Sequence, residues 1–130
     1  MATVLLDTHV LHWWTSESFR LSEAAVDAIS TADELGVASV TWYELAWLAQ
    51  RRRIAISAPI RPWLERLARD VLTVPTTPAI ATTAATLPPS FPSDPADRII
   101  YATALEQGWM LVTRDERMLS HPQVPPITIW

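Results

Sequence analysis

Four acidic residues, spread over most of the chain, lie at the ends of apolar segments or in the first turns of predicted helices: Asp7, Glu44, Asp97 and Asp115. In a parallel α/β sheet the carboxyl ends of the strands open into one crevice, which would bring these side chains together. Carboxylates that meet there repel one another unless a divalent cation binds them, and oxygen-only ligands suit magnesium or manganese. Metal-dependent phosphodiester cleavage is the chemistry that this arrangement suggests first.

Each of these acids also has a simpler interpretation as a capping or turn residue. Asp7 at a helix start is favoured by the helix dipole, Glu44 fits an ordinary first-turn glutamate, and Asp115 fits a turn aspartate. Asp94 fits a helix cap, and a capped helix end can present Asp97 into the crevice, so we interpret Asp97 as the better metal ligand of the two. The evidence for a site is therefore that all four acids map to one side of a plausible sheet.

The composition excludes several kinds of chemistry. The chain has no cysteine, which excludes thiolate metal sites and disulfides, and all ten basic residues are arginine, which excludes a lysine Schiff base or a P-loop. The net charge of −4 argues against strong nucleic-acid affinity from charge alone. The absence of cysteine is compatible with a reducing, cytoplasmic location.

The length of 130 residues suits one domain spanning 1–130. No apolar stretch approaches the roughly 20 residues that a membrane span needs, so we expect no membrane association. The apolar run at 2–6 is too short for a signal peptide and is interpreted as a first strand.

Strands alternate with helices along the chain, which favours a parallel sheet covered on both faces. Strands are predicted at 2–6, 35–40, 71–74, 109–113 and 127–130. Helices are predicted at about 8–15, from Ser22 with Ala25, Val26 and Ile29 inward, at 41–52, 61–70 and 78–87, and from Pro95 to Gln107 with Gly108 as the stop.

Histidines and arginines near the acids offer further candidates. We expect His9 at the rim of the site and His12 packed or solvated, because two histidines alone are too few for a zinc site. Arg51, Arg52 and Arg53 end a helix, where the dipole favours solvated cations, and a contact with phosphate is the alternative.

Seven tryptophans are many for a chain of this length. Trp14, Trp42 and Trp47 cannot all be comfortably buried in a small domain. An exposed aromatic patch would mark a surface that binds a partner.

Taken together, the motifs resemble those of PIN-domain ribonucleases and, within them, VapC-type toxins of bacterial toxin–antitoxin pairs. The similar segments are 5–14 with the first acid, 39–45 with the glutamate, 94–104 with the third acid and 111–115 with the last. They occur in the expected order and span residues 4–119. Each motif is short, but four in register are fairly specific.

The resemblance implies a PIN-like three-layer α/β/α sandwich with a central parallel sheet. It implies an Mg²⁺- or Mn²⁺-dependent endonuclease that cleaves single-stranded or structured RNA. Asp7 and Asp97 would hold the metal, Glu44 and Asp115 would complete the acidic site, and Asp94 is a further possible ligand.

Substrate and partner contacts are also implied by the resemblance. Thr8 and Thr113 would orient water or phosphate through their hydroxyls, and Arg51 and Arg52 would contact the substrate. A small antitoxin would hold the enzyme inactive by placing an arginine among the acids and by covering an interface that contains Trp14 and Trp47. Members of the family commonly form homodimers.

Three alternatives stay open from the residues alone. An acidic-site α/β phosphatase would attack with Asp7, but its usual partner lysine is missing. A response-receiver domain would also need a lysine near the acids. A PIN module that binds without cleaving is the third, although all four acids are present.

Overall fold

A parallel five-stranded sheet organises the computed structural model, which describes residues 2–130. The strands are β1 Thr3–Leu6, β2 Glu34–Ala38, β3 Leu72–Val74, β4 Met110–Val112 and β5 Thr128–Ile129. They are arranged in the order β3-β2-β1-β4-β5, with every neighbouring pair parallel. The sheet therefore extends from the central strand β1 first toward β3 and then, on the other side, toward β5. The crevice at such a reversal is where ligands bind to open α/β sheets.

Seven α-helices in the described part of the chain connect and cover the strands. They are α1 Thr8–Ser16, α2 Glu23–Thr31, α3 Val40–Gln50, α4 Ile60–Ala68, α5 Pro78–Ala85, α6 Pro95–Gln107 and α7 Glu116–Leu119. All the predicted strands and helices are present, with ends that differ by a few residues. The short helix α7 and a 3-10 turn at Ser18–Arg20 were not predicted.

Alternating residues of the strands pack on opposite faces of the sheet. Val4 and Leu6 join a cluster with buried residues of α1 to α4, whereas Leu5 joins a second cluster with buried residues of α6 and α7. Helix α5 packs against α6 through Ile80 and Ala84, which meet Ala102. The predicted three-layer α/β/α arrangement around a parallel sheet is confirmed.

Local capping residues place the helix ends as the sequence predicts. The Ser22 hydroxyl accepts a hydrogen bond from Ala25 N at 3.1 Å, and Gly108 takes the left-handed φ of 70° that ends α6. The prediction that Val26 faces inward is wrong, because Val26 is 47% exposed. Ala25 and Ile29 form the buried stripe of α2, and Val26 lies a further 100° around the helix.

Within residues 2–130, none of the helices combines the length and the apolar character needed to cross a membrane.

Candidate active site

A cavity of about 550 Å³ opens at the carboxyl ends of β1 and β4. It is lined by Asp7, Thr8, His9, Trp13, Glu44, Asp94, Asp97, Arg114, Asp115, Glu116 and Arg117. The four predicted acids and Asp94 therefore meet in one place, as the topology of a parallel sheet requires. His9 lies at the exposed rim, as expected, and His12 is buried with Nε2 3.3 Å from the Glu17 carboxylate.

Asp7 follows β1 directly and is fixed by neutral groups. Its backbone N–H donates to Val112 O at 3.0 Å, which extends the pairing of β1 with β4. One carboxylate oxygen accepts from Thr8 N at 2.8 Å, and the other accepts from the Thr113 hydroxyl at 2.7 Å. Burial raises the pKa of Asp7, although these hydrogen bonds and His9 oppose the shift.

Glu44 is held by a second threonine. The Thr8 hydroxyl donates to Glu44 Oε1 at 2.5 Å and lies 3.1 Å from the Thr41 hydroxyl, so α1 and α3 are joined beneath the cavity. Burial raises the pKa of Glu44, and the nearby charges of Asp7 and Asp94 add to that effect. Thr8 and Thr113 are buried and position carboxylates; a direct contact of either hydroxyl with water or phosphate stays a prediction.

Asp94 caps a helix and also lies among the other acids, where the sequence indicated mainly the cap. Its Oδ1 accepts from Ala96 N at 2.8 Å and from Asp97 N at 3.2 Å, which caps α6 as predicted. Its carboxylate also belongs to a group with Glu44 and Asp97 in which ligand oxygens lie within 4.8 Å of one another. Asp94 is therefore a stronger candidate ligand than the sequence indicated.

Carboxylates held this close together repel one another, and the pKa of Asp97 shows the effect. Burial and the charges of Asp7, Asp94, Asp115 and Glu44 raise its pKa to about 7. Oxygen donors alone, close together and crowded with negative charge, are the set that a hard divalent cation requires. The residues present therefore fit the metal that the acid pattern predicts.

Asp115 follows β4 along the chain and caps the N-terminus of α7. Its Oδ1 accepts from Arg117 N at 2.9 Å and from Met118 N at 3.3 Å, and its own N–H donates to the Thr113 hydroxyl at 3.0 Å. The Arg117 guanidinium lies 3.3 Å from Asp115 Oδ2 and 3.4 Å from Asp97 Oδ2. The sequence did not indicate Arg117 or Arg114 as site residues, because its pattern does not reveal the four-residue helix α7.

The predicted substrate-binding arginines lie elsewhere. Arg51 and Arg52 are exposed at the end of α3 and do not line the acidic cavity. Arg51 instead lies over the Trp47 ring, with its guanidinium carbon 4.3 Å from the ring centroid. Their contact with substrate stays a prediction.

The tryptophans predicted at a partner surface are half-buried, and they do not form one patch. Trp14 lines a cavity of about 580 Å³ between α1, residues 55–57 and α4, whereas Trp47 lines another of about 390 Å³ beside Glu44. Trp42 donates from Nε1 to the Thr73 hydroxyl at 3.1 Å. The exposed aromatic residue of α3 is Tyr43, at 68%.

A parallel α/β sheet with a carboxylate site at its carboxyl edge defines the class of protein. The PIN domain family matches residues 4–123. A curated relative, "Ribonuclease VapC22" of Mycobacterium tuberculosis, is 57% identical over 130 residues, which is 100% of both chains. The chain therefore belongs to the PIN-domain family, in agreement with the resemblance to VapC-type proteins.

Solved structures share the fold at low sequence identity. A toxin–antitoxin complex from Klebsiella pneumoniae matches with a TM-score of 0.70 and 19% identity, over 98% of this chain and 96% of that one. DNA-bound VapBC from Salmonella typhimurium matches with a TM-score of 0.69 and 17% identity, at the same coverage. VapBC-5 from Mycobacterium tuberculosis gives 0.60 and 22%, again over 98% and 96%. These identities support the fold alone.

Proton release from Asp97 should control both stability and metal binding. Because its pKa rises from 3.8 to about 7, the folded protein keeps this proton after the unfolded chain has lost it. The contribution of Asp97 therefore lowers the stability of the metal-free protein as pH rises from about 4 to about 7. A divalent cation needs the ionised form, so Mg²⁺ should raise the melting temperature more at pH 8 than at pH 6.

The control is Asp97→Asn, which cannot titrate. In this variant the pH dependence of the Mg²⁺-induced shift should flatten, as measured by thermal denaturation with Mg²⁺ and with chelator. A wild-type shift of equal size at both pH values would show that Asp97 does not titrate in this range.

Thr113→Val should loosen Asp7 without adding or removing charge. The substitution removes the donor to the buried Asp7 carboxylate and the acceptor for the partly buried Asp115 N–H, and leaves each group one partner short. The free energy of unfolding should fall by about 1–3 kcal/mol in chemical denaturation at neutral pH. Metal affinity measured by calorimetry should fall as well. Thr113→Ser keeps the hydroxyl and should restore both, and equal behaviour of the two variants would rule out this positioning role.

Proposed function

We propose that the chain is a metal-dependent endoribonuclease that cleaves single-stranded or structured RNA with Mg²⁺ or Mn²⁺. The observation that carries this proposal is the carboxylate group of Glu44, Asp94 and Asp97, whose ligand oxygens lie within 4.8 Å of one another. Asp7 and Asp115 line the same cavity. The full-length relative that is 57% identical is named a ribonuclease, which supports RNA as the substrate.

The acids divide into direct and supporting positions. Asp7 and Asp97 would hold the cation, Glu44 and Asp115 would complete the acidic site, and Asp94, whose carboxylate lies close to those of Glu44 and Asp97, is a further candidate ligand. When bound, the cation supplies Lewis-acid polarisation of the scissile phosphate and of the attacking water. The protein's own contribution is to aim the Asp7 and Glu44 carboxylates through the Thr113 and Thr8 hydroxyls, whose hydrogen bonds favour the ionised forms.

Cationic side chains at the rim would orient the substrate. Arg117 is exposed and lies within 3.4 Å of both Asp97 and Asp115, and Arg114 lines the same cavity. Once a metal neutralises part of the acidic charge, these guanidinium groups can bind phosphate oxygens. We propose them as phosphate contacts in addition to Arg51 and Arg52.

A phosphatase that forms a phosphoaspartate fits the site less well. Its nucleophile would be Asp7, whose two carboxylate oxygens accept hydrogen bonds from Thr8 N and Thr113 Oγ1. The residue is also only 8% exposed. A group so enclosed is poorly placed for direct attack on a phosphate. A non-catalytic PIN module would have no use for six acids in one cavity.

Partner and location extend the proposal. Solved structures that share the fold include toxin–antitoxin complexes, which supports a small antitoxin as the partner of this chain. We propose that an antitoxin arginine enters the acidic cavity, where it would pair with the carboxylates. Trp14 and Trp47 are proposed to contact the antitoxin, the former through the 580 Å³ cavity.

A single domain over 1–130, a homodimer and a cytoplasmic location complete the proposal.

RNA cleavage should require a divalent cation. Purified protein freed of antitoxin should cleave unlabelled or end-labelled single-stranded RNA in Mg²⁺ or Mn²⁺ and should lose that activity in excess chelator. Cleavage that continues unchanged in chelator would contradict the metal mechanism. Addition of excess Mg²⁺ after the chelator should restore the rate, which separates metal loss from unfolding.

Substitution of single acids should separate ligand and capping roles. Asp7→Asn and Asp97→Asn should each abolish cleavage with an unchanged or higher melting temperature, because each removes charge from a crowded site. Asp94→Asn should reduce cleavage less and leave stability unchanged, since asparagine also caps a helix. Asp94→Ala loses the cap as well and should cost about 1 kcal/mol of stability. Loss of the folding transition in Asp97→Asn would identify it as a structural residue instead.

A further inference from the structure

A second cavity continues from the acidic one along α3. It has a volume of about 390 Å³, and its walls include His9, Glu44 and Asp94, which also line the acidic cavity. The remaining walls are mostly apolar and include Tyr43 and Trp47. The volume lies within the range of about 300–1,000 Å³ typical of small-molecule sites. An apolar chamber therefore opens directly beside the proposed metal site.

One face of α3, together with the residue that caps its C-terminal end, carries three kinds of side chain in order. Glu44, Trp47 and Arg51 follow one another at the spacing of three and four that places residues on the same side of a helix. Glu44 and Arg51 are separated by about 10 Å along the helix axis. The guanidinium carbon of Arg51 lies 4.3 Å from the centroid of the Trp47 ring, and that of Arg53 lies 5.6 Å away.

This order corresponds to the repeating chemistry of a nucleic-acid strand. An acid with its metal suits the scissile phosphate, aromatic rings suit a base, and a guanidinium suits the next phosphate. Tyr43 is 68% exposed and lies four residues before Trp47, so both rings are offered to one chamber. Stacking on aromatic side chains is a common way in which proteins bind unpaired bases.

We propose that this second cavity is a base-binding subsite for the nucleotide next to the scissile phosphate. The base stacks on Tyr43 or Trp47, and Arg51 contacts the following phosphate. The inference deepens the proposed ribonuclease function and rests on it. It gives Trp47 a role in choosing the RNA in addition to the proposed contact with the antitoxin.

The test compares intact oligoribonucleotides with oligoribonucleotides that lack one base. After the cleavage site of a single-stranded RNA is mapped, an abasic nucleotide is placed on either side of the scissile phosphate, and kcat/KM is measured. For the wild-type protein, removal of the base at one of the two positions should lower kcat/KM by roughly 5- to 150-fold, the range expected for one stacked base.

The variants Tyr43→Leu and Trp47→Leu show whether that base uses the cavity. Each should lower kcat/KM on the intact RNA and should shrink the penalty for the missing base, because the stacking partner is already gone. Tyr43→Phe keeps a ring and should retain the wild-type penalty. Arg51→Gln should raise KM with little change in kcat. Tyr43 is mostly exposed, so Tyr43→Leu should fold even if Trp47→Leu lowers the melting temperature.

Phe19→Leu is the matched control, since Phe19 is an 81% exposed aromatic residue away from both cavities. It should leave kcat/KM and the abasic penalty unchanged. The subsite is overturned if the abasic penalty is the same in the wild type and in both leucine variants. It is also overturned if those variants cleave normally and only bind a co-expressed antitoxin less tightly, because the occupant is then a protein. A wild-type protein that cleaves no RNA with any divalent cation would instead refute the proposed function itself.

Discussion

The gathering of like charges at one edge of the sheet is the constraint on which the site depends. Burial raises the pKa of Asp7, Glu44 and Asp97, and mutual repulsion adds to the shift. The innermost acids are steadied by the hydroxyls of Thr8 and Thr113, which orient a carboxylate without neutralising it. A guanidinium in the same positions would have cancelled the charge that a cation needs. The fold therefore holds mutually repelling carboxylates at the carboxyl edge of the sheet, and a bound divalent cation would relieve that repulsion.

Much of this could be predicted from the sequence, because strand ends and helix starts fix where an acid must lie. Asp7 directly follows a buried strand and Asp97 lies in a capped first turn, so both are set by local patterns. Arg117 could not be predicted in the same way, since α7 has only four residues and shows no apolar period. The sequence indicated Asp94 mainly as a helix cap and did not show how close its carboxylate lies to that of Glu44. One carboxylate can cap a helix and join a cluster, and only the arrangement of α3 against α6 brings Glu44 near it.

The sequence states how many aromatic residues the chain has, but it does not show which of them are exposed. Residues of α3 are distributed among the sheet, α6 and solvent, and the apolar pattern does not separate these three environments. Leu45 is buried in the core, Trp42 donates a hydrogen bond to Thr73 of β3, and Tyr43 is mostly exposed. A count of tryptophans predicted excess aromatic surface without identifying its location. Which aromatic residues are exposed depends on tertiary packing, because α3 contacts elements from distant parts of the chain.

The position of α3 has a consequence for how such an enzyme would choose among RNAs. Every phosphodiester offers the same charged group to the acids, so the metal site cannot by itself distinguish one sequence from another. Discrimination has to come from surfaces that meet a base. Helix α3 supplies Glu44 to the acidic cavity and Trp47 to the adjoining chamber, so a single rigid element sets the distance between the two. Substitutions on the aromatic part of that face can then change the preferred RNA while Asp7, Asp97 and Asp115, which lie on other elements, keep the cleavage chemistry intact.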